Sequence, residues 1–364
     1  MDKREIARLR LRSQRLAHTG LDSIDGVIDW LVCSQSQDYG PGKWSIGQRA
    51  LGLTDAGLDA ALDEGRILRT HILRPTWHFV APADIRWIQA LTAPRVLVQN
   101  RHYMTQLELT DELLRQTATI LEKALDGHPL TRQQLQQALA DAGVVAEGTR
   151  LAYILMQAEL ECVITSGGLA GKQQTYALLD DVAPVASGGR SGPTTGDESL
   201  AELTRRYFTS HGPASVADFR WWSSLTVADV RRGLEMVGTD LEKRTIDGVD
   251  YWASTFELPP GPGQPRAHFI QGLDEYFVGY QKTRSAADVG GFGPRGYDRG
   301  FYHTFVLDGQ VAAAVRRIVE KDGITFEMRH AWPFSSDDVA EAEAAAARYA
   351  AFLGSNVSIK TSDT

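Results

Sequence analysis

The 364-residue sequence predicts an α+β fold with three repeats of one helical unit, followed by a C-terminal region rich in β-structure. Three observations support this prediction. Helical spacing of apolar residues dominates the first two thirds of the chain, a pair of short β-like runs closes each helical group, and the period changes near residue 267. Because three helices followed by a two-stranded ribbon outline a winged helix, the chain is predicted to contain three winged-helix units in tandem.

Each repeat is assigned from helical periodicity, from start signals such as the N-cap candidate Ser23, and from runs with high β-propensity. The first repeat, residues 1–105, is predicted to have helices near 23–34, 44–51 and 54–64 and strands at 66–73 and 76–81. The second repeat, residues 106–185, is predicted to have helices near 111–125, 131–142 and 147–160 and strands at 161–167 and 173–179. The third repeat, residues 197–258, is predicted to have helices near 197–210, 213–222 and 226–237 and strands near 241–246 and 250–255.

Gly, Ser, Pro and Thr dominate "PVASGGRSGPTTGD", which predicts a linker at residues 186–198. Beyond it, residues 266–355 are predicted to form a small β-barrel or curved sheet, with hairpin turns at Asp308-Gly309 and Asp322-Gly323. An Ala-rich helix at 337–353 should close this region, and residues 356–364 are predicted to be a flexible tail. "GLDEYFVGY" reads as a strand here, so adjacent Asp274 and Glu275 should face opposite ways and not act as a pair.

Composition excludes several classes of protein. The two cysteines, Cys33 and Cys162, fit a reducing compartment, and no stretch approaches the roughly 20 apolar residues of a membrane span. The net charge of −8 does not by itself point to nucleic acid, but the first fifteen residues are basic. Arg8, Arg12 and Arg15 are therefore candidates for phosphate contacts, although a basic helix is more often only a solvated face.

"SQSQDYGPGKW" carries two neutral amides, Gln35 and Gln37, where an apolar helix ends. Gly40-Pro41-Gly42 makes continuation of the helix unfavourable, and residues two apart share a face only in an extended segment. Two carboxamides on one face can hold a water molecule between them, which suits a reaction with an activated leaving group. The alternative is a pair of loop amides that cap backbone groups.

"RPTWHF" places Thr76 and His78 on one face of a predicted strand and Trp77 on the other. This pattern fits a hydroxyl and an imidazole that line the same pocket as the glutamines. Such a pattern belongs more often to a half-buried hairpin with a hydrogen-bonded histidine.

"GGFGPRG" matches G-x-G-x-x-G, but no helix follows and Pro294 interrupts it, so a dinucleotide site is not predicted. A loop that brings Arg295 and Arg299 to phosphates is the better interpretation. The sequence also lacks H-E-x-x-H, P-loop and G-x-S-x-G motifs, so neither a metal nor any other cofactor is expected.

Five segments occur in the order found in one known family: "SQSQDYGPGKWSIGQR", "GRILRTHILRPTWHFVAPADIRWI", "LTRRYFTSHGPASVADFRWWSSL", "GLDEYFVGY" and "AAFLG". Together they resemble the AlkZ-like DNA glycosylases, a bacterial winged-helix family also called HTH_42. The resemblance spans nearly the whole chain. It implies a C-shaped clamp of three tandem winged helices, with a C-terminal β-barrel that helps embrace duplex DNA.

The family's catalytic Gln-aliphatic-Gln motif would fall on Gln35, Ser36 and Gln37, with Ser in place of the aliphatic residue. The active-site stretch of threonine, aromatic residue and histidine would fall on Thr76, Trp77 and His78. The resemblance implies excision of alkylated purines from double-stranded DNA, and the Gln-x-Gln branch is tied to antibiotic self-resistance and to unhooking of bulky or interstrand N7-guanine adducts. We expect a monomeric enzyme in the bacterial cytoplasm, associated with the nucleoid. Because the motif contains no lysine, water rather than an amine is the expected nucleophile, which predicts a monofunctional enzyme.

N7 alkylation makes guanine cationic, so its glycosidic bond can break through an oxocarbenium-like state without strong acid assistance. Lys43 is the one nearby candidate for an amine nucleophile, and otherwise a candidate for backbone contact. The main alternative function is a winged-helix transcriptional regulator without catalysis, and the other is a lesion-binding module that has lost its chemistry. Regulators usually pair one reading head with a dimer interface, which three tandem units fit less well.

Overall fold

The computed structural model describes residues 1–17, 20–184, 192–193, 195–257, 265–293 and 300–361. The chain divides into two compact units. Compact unit 1 consists of Met1–Leu58, Thr204–Trp222 and Val227–Thr364, and compact unit 2 consists of Asp59–Leu203 and Ser223–Thr226. The predicted mixture of helix and sheet is confirmed, whereas the winged-helix and clamp assignments stay predictions.

Compact unit 1 begins with short helices and one short strand: α1 (Lys3–Ser13), α2 (Ile24–Leu31), β1 (Cys33–Gln35) and α3 (Tyr39–Gly47), before α4 (Asp55–Asp63). A capping box between Asp2 and Glu5 starts α1, and the Ser23 hydroxyl caps α2 as predicted. The basic helix α1 is solvated on one side only: Ile6 and Leu9 are buried in an apolar cluster, whereas Arg8 is exposed.

The apolar helix α2 ends before Gly40-Pro41-Gly42, as predicted, but the helix predicted near 44–51 begins earlier, at Tyr39, and contains these three residues. The physical reason is that the first N–H groups of a helix have no partner within the helix, so a proline in the first turn removes no hydrogen bond. Extended backbone is thus confined to the few residues between α2 and α3.

The third helical group contains α10 (Gly196–Ser210), α11 (Val216–Ser223) and α12 (Val227–Val237), followed by the hairpin of β7 (Glu242–Ile246) and β8 (Val249–Ala253). These elements agree with the predicted helices and strands to within about three residues at each end. Arg10 of α1 is fully buried nearby and donates to the carbonyls of Pro213 (2.9 Å) and Thr283 (3.0 Å).

The C-terminal part of compact unit 1 is a five-stranded sheet curled into a half-barrel, in the order β13-β12-β11-β10-β9. The strands and the covering helix are β9 (Ala267–Ile270), β10 (Phe301–Leu307), β11 (Gln310–Glu320), β12 (Gly323–His330), α14 (Ser336–Leu353) and β13 (Asn356–Thr361). Hairpins turn at both predicted positions, and Asp308 and Gly309 have φ of 49° and 82°, which favours Asp-Gly.

Two predictions for this region are wrong. "GLDEYFVGY" is not a strand: after β9 the chain turns, and Asp274 caps the short helix α13 (Glu275–Val278) by accepting from the Tyr276 N–H. Of the predicted flexible tail, residues 356–361 instead form β13, which pairs in parallel with β12, and residues 362–364 lie outside the described residues. Gly354 ends α14 in the left-handed conformation and redirects the chain so that a short segment of alternating polar and apolar residues can join the sheet edge.

Compact unit 2 contains two antiparallel hairpins among helices. Its remaining elements are β2 (Leu68–His71), β3 (Trp77–Val80), α5 (Pro82–Gln106), α6 (Asp111–Leu125), β4 (Leu130–Thr131), α7 (Arg132–Asp141), α8 (Gly148–Leu160), β5 (Ile164–Ala170), β6 (Gln173–Leu178) and α9 (Leu179–Val182). The sequence interpretation missed α5, which starts with Pro82 at its first helical position. Leu121, Leu135 and Ile154 lie in the apolar core of compact unit 2. Across the described ranges, no helix is long and apolar enough to cross a membrane.

Candidate functional site

The two glutamines of the motif occupy different environments at the end of β1. Gln35 is the last residue of the strand and only 6% exposed, whereas Gln37 is exposed two residues later. Ser36 between them is fully buried. The predicted extended backbone is therefore confirmed as far as Gln35, and convergence of both amides on one water stays a prediction.

Helix α3 packs closely against this motif through a glycine. A Cβ atom added to Gly42 would lie 3.1 Å from Cα of Ser36 and 3.6 Å from the carbonyl oxygen of Gln35. The same addition at Gly40, in the same helix, would meet nothing within 4 Å. Gly42 therefore allows backbone to lie against backbone, and this contact limits where Gln35 and Ser36 can sit.

A cavity of about 730 Å³ opens beside the motif, entirely within compact unit 1. Gln37 and Asp38 contribute one part of its wall. Segments from the half-barrel region contribute the rest: Gln271, Gly272, Leu273, Phe277, Arg284, Ser285, Asp288, Gly291, Gly293, Tyr302, Thr304 and Val311. Aromatic rings, carboxylates and amides thus face one space that is large enough for a drug-sized ligand.

The loop that follows α13 is held in shape by Asp288. Its carboxylate accepts hydrogen bonds from the backbone N–H groups of Phe292 (2.8 Å) and Gly293 (3.0 Å). Arg284 is anchored by its Nε, which donates to the carbonyls of Phe277 (2.9 Å) and Tyr280 (3.0 Å). Two polar residues of the cavity wall therefore have fixed positions rather than freely moving side chains.

A buried ion pair joins the residues just after α3 to the segment that lines the cavity. Arg49 donates to the Asp274 carboxylate through Nη1 (2.8 Å) and Nη2 (2.6 Å), and both side chains are fully buried. Gln48 adds a bond to the same carboxylate at 3.2 Å, and Gln271 donates to the Ser45 hydroxyl at 3.0 Å. Bidentate geometry of this kind specifies orientation as well as adding energy.

The cationic residues predicted to contact phosphate differ in availability. Arg8 is exposed on α1, whereas the Arg15 guanidinium lies 3.8 Å from the centre of the Trp30 ring and burial lowers its pKa. Arg12 donates to the carbonyl of Glu257. The Lys43 side chain is 5% exposed, and its ammonium lies 2.8 Å from the Asp55 carboxylate.

The remaining predicted phosphate contacts, Arg295 and Arg299, lie outside the described residues. The described ranges also contain no group of three or more His, Cys, Asp or Glu side chains placed to hold a metal ion.

Thr76, Trp77 and His78 lie in compact unit 2, on and just before β3. His78 is fully buried, its Nδ1 lies 2.8 Å from the carbonyl of Thr76, and its Nε2 lies 3.5 Å from a nitrogen of Arg74. The Trp77 indole donates to Glu159 at 3.3 Å and lies under the Arg69 guanidinium at 4.5 Å. The predicted roles of these three residues in an active site stay predictions.

Sequence reasoning missed the residue that holds the motif in place. Glu275 is fully buried, and its carboxylate accepts the backbone N–H of Gln35 at 2.9 Å. The signal was the acidic pair in "GLDEYFVGY", which the strand interpretation set aside. Nothing local in the sequence marks His211 or Trp222, which contact the same carboxylate.

A family model for AlkZ-like DNA glycosylases matches residues 28–352. The chain therefore belongs to the AlkZ-like DNA glycosylase family, as the sequence resemblance predicted, and this family acts on DNA. The solved structure of the Streptomyces sahachiroi DNA glycosylase AlkZ is similar in fold, with a TM-score of 0.77 over 100% of both chains at 18% sequence identity. No curated protein matches the chain in sequence.

Proposed function

We propose that this DNA glycosylase hydrolyses the N-glycosidic bond of N7-alkylated purines in duplex DNA, with Gln37 and Gln35 positioning the attacking water. The observation that carries the proposal is the placement of Gln37, an exposed amide on the wall of a 730 Å³ cavity next to a buried, anchored Gln35. Gln37 therefore lies on the wall of a space that can hold a ligand, and the backbone of Gln35 beside it is held by Glu275.

Amides are chemically sufficient for this substrate class. An N7-alkylated purine already carries positive charge, so the bond from C1′ to N9 weakens without protonation by a strong acid. What remains is to hold a water near C1′ and to stabilise the positive charge that develops on the sugar. The carbonyl oxygen of Gln37 can do both, and the nearby Asp38 carboxylate on the same wall adds negative charge.

The dimensions of the cavity favour a purine with a large substituent. Pockets for drug-sized ligands occupy about 300–1,000 Å³, and the cavity beside Gln37 falls within that range at about 730 Å³. Phe277 and Tyr302 provide ring surfaces for a planar substituent. Bulky N7-guanine adducts, including interstrand crosslinks, are therefore part of the proposed substrate range.

Water rather than an amine is the proposed nucleophile, which makes the enzyme monofunctional. Lys43, the nearby lysine, directs its ammonium to the carboxylate (2.8 Å) and the carbonyl (3.4 Å) of Asp55. An ammonium held by a carboxylate in a buried position is a poor Schiff-base nucleophile. Because Lys43 is buried and bound to Asp55, we assign contacts with the DNA backbone first to Arg8, which is exposed on α1.

The proposal is tested with a duplex that carries a single N7-methylguanine, a matched undamaged duplex and borohydride as a trap. We expect free N7-methylguanine and an abasic site from the damaged duplex only, with no trapped covalent complex. Binding of duplex without base release would contradict the proposal and favour a transcriptional regulator. A trapped complex would instead contradict the monofunctional mechanism.

A further inference from the structure

Glu275 is a buried carboxylate whose oxygens receive donors from three separate parts of compact unit 1. Oε1 accepts the backbone N–H of Gln35 at 2.9 Å, and Oε2 accepts the indole N–H of Trp222 at 2.9 Å. Nε2 of His211 lies 3.4 Å from Oε2. A carboxylate without exposure is costly unless such bonds satisfy it, so these contacts fix it in one orientation.

Two of the three groups described above, the Gln35 N–H and the Trp222 indole N–H, are neutral. Of the three, only His211 can carry charge, and burial lowers its pKa even though the Glu275 carboxylate opposes this effect. The nearby arginines have other partners, because Arg49 pairs with Asp274 and Arg10 binds Thr283. The position of the carboxylate is therefore set by directional hydrogen bonds to the motif backbone, the indole and the imidazole.

The surroundings of His211 are tightly packed. Its ring stacks on Tyr207 with centroids 4.9 Å apart, and the Tyr207 hydroxyl donates to the carbonyl of Gly279 at 2.8 Å. A Cβ added to Gly279 would lie 2.9 Å from Cδ2 of His211, so only glycine leaves room for the ring. Because the residues around His211 are tightly packed, a displacement of one of them also displaces the Glu275 carboxylate.

We infer that Glu275 is a positioning residue for catalysis, which sets the location of the Gln35 backbone and thereby the direction in which Gln37 faces the cavity. This inference rests on the proposed function of Gln35 and Gln37. Its specific basis is that the Gln35 N–H is bonded to a side chain 240 residues away, at the residue where strand β1 ends. Glu275 itself need not touch the substrate.

The substitution Glu275→Gln tests the inference because an amide has only one acceptor oxygen. In this variant either the Gln35 N–H or the Trp222 indole N–H must face the new NH2 group. We expect the single-turnover rate of base release at saturating enzyme to fall on the order of 100-fold, as for a misplaced catalytic group, with duplex affinity unchanged. An unchanged rate in a folded variant would overturn the inference.

The double variant Glu275→Gln with Trp222→Phe provides the rescue. Phenylalanine removes the donor that competes for the amide oxygen, so that this oxygen can accept from Gln35 again. We expect the double variant to recover most of the lost rate even though it melts at a lower temperature than Glu275→Gln. A double variant as slow as Glu275→Gln would contradict positioning through the Gln35 N–H.

Asp218→Asn is the matched control for stability. Asp218 is also fully buried and accepts from Ser215, Gln281 and Thr283, but it binds neither glutamine of the motif. We expect a lower melting temperature with a near-wild-type single-turnover rate. Equal losses of rate in Asp218→Asn and Glu275→Gln would show general destabilisation and overturn the inference.

Amide hydrogen exchange of Gln35 in the unmodified protein tests the same bond without any variant and without activity. The Gln35 amide should be strongly protected, and an unprotected amide would overturn the inference even if the protein is an active glycosylase. Conversely, a wild-type protein that protects this amide but releases no base would contradict the proposed function and leave only the bond between Glu275 and Gln35 standing. The two failures are therefore distinguishable.

Discussion

Two buried glutamates, one in each compact unit, have the same kinds of side-chain partner but differ in whether they also bind the main chain of the glutamine motif. Glu275 in compact unit 1 accepts from the Trp222 indole and contacts His211, and Glu159 in compact unit 2 accepts from the Trp77 indole and contacts His71. Only Glu275 additionally binds the main chain of the glutamine motif.

This difference separates a structural use of a buried carboxylate from a positioning one. Glu159 ties side chains of the β2–β3 hairpin to α8, and Gln89 completes the cluster by donating to the carbonyls of His71 and Glu159. Glu275 fixes a backbone atom two residues from an exposed side chain that lines a cavity. The type of partner alone therefore does not distinguish a positioning carboxylate from a structural one. The distinguishing feature is that Glu275 binds a backbone N–H close in sequence to a side chain that lines a cavity.

Among substitutions outside Gln35–Gln37 and Glu275, Gly42→Ala should cause the largest loss of single-turnover rate. The new Cβ would lie 3.1 Å from Cα of Ser36, so the motif must shift by a few tenths of an ångström. We expect the single-turnover rate to fall about tenfold, in keeping with the sensitivity of catalysis to small displacements. Gly40→Ala is the control, since its Cβ meets nothing within 4 Å, and equal rates for both variants would contradict the positional account.

Glu159→Gln should act mainly on stability. Its amide would leave either His71 or Trp77 facing an NH2 group, which costs about 1–3 kcal/mol in the free energy of unfolding. Chemical denaturation measures this loss, and the single-turnover rate should fall less than for Glu275→Gln. A loss of rate as large as that of Glu275→Gln would erase the contrast between the two carboxylates and favour the predicted catalytic role for the Thr76-Trp77-His78 stretch.

Arg8→Ala should give the smallest effect, confined to binding. Arg8 is exposed on α1, and loss of one phosphate contact lowers the slope of log affinity against log salt by about 1. Titration of duplex at several salt concentrations measures this slope, and the rate at saturating enzyme should not change. An unchanged slope would remove Arg8 from the proposed phosphate contacts.

The local elements of the fold were predictable because they depend on neighbours in sequence. The helix at 111–125 and the turn at Asp308-Gly309 follow from apolar spacing and from residues that favour positive φ. The Gln35–Gln37 motif was likewise found from the spacing of neighbouring residues, and the family resemblance supplied its predicted catalytic role.

The rest of the site depends on residues far apart in the chain. The bond between Gln35 and Glu275 spans 240 positions, and the bond between Arg49 and Asp274 spans 225. Periodicity cannot report such pairs, and it assigned "GLDEYFVGY" to a strand because aromatic residues in a β-rich region favour one. The helix α13 forms because Asp274 caps it, which turns both acidic side chains inward.

The most direct test of the account is the single-turnover rate of N7-methylguanine release by Gln37→Ala compared with wild type at saturating enzyme. Gln137→Ala, which removes an exposed amide from α7 in compact unit 2, is the matched control. We predict a loss on the order of 100-fold or more for Gln37→Ala, with unchanged duplex affinity and no loss for Gln137→Ala. Full activity of Gln37→Ala would contradict the assignment of the motif as the centre that positions water.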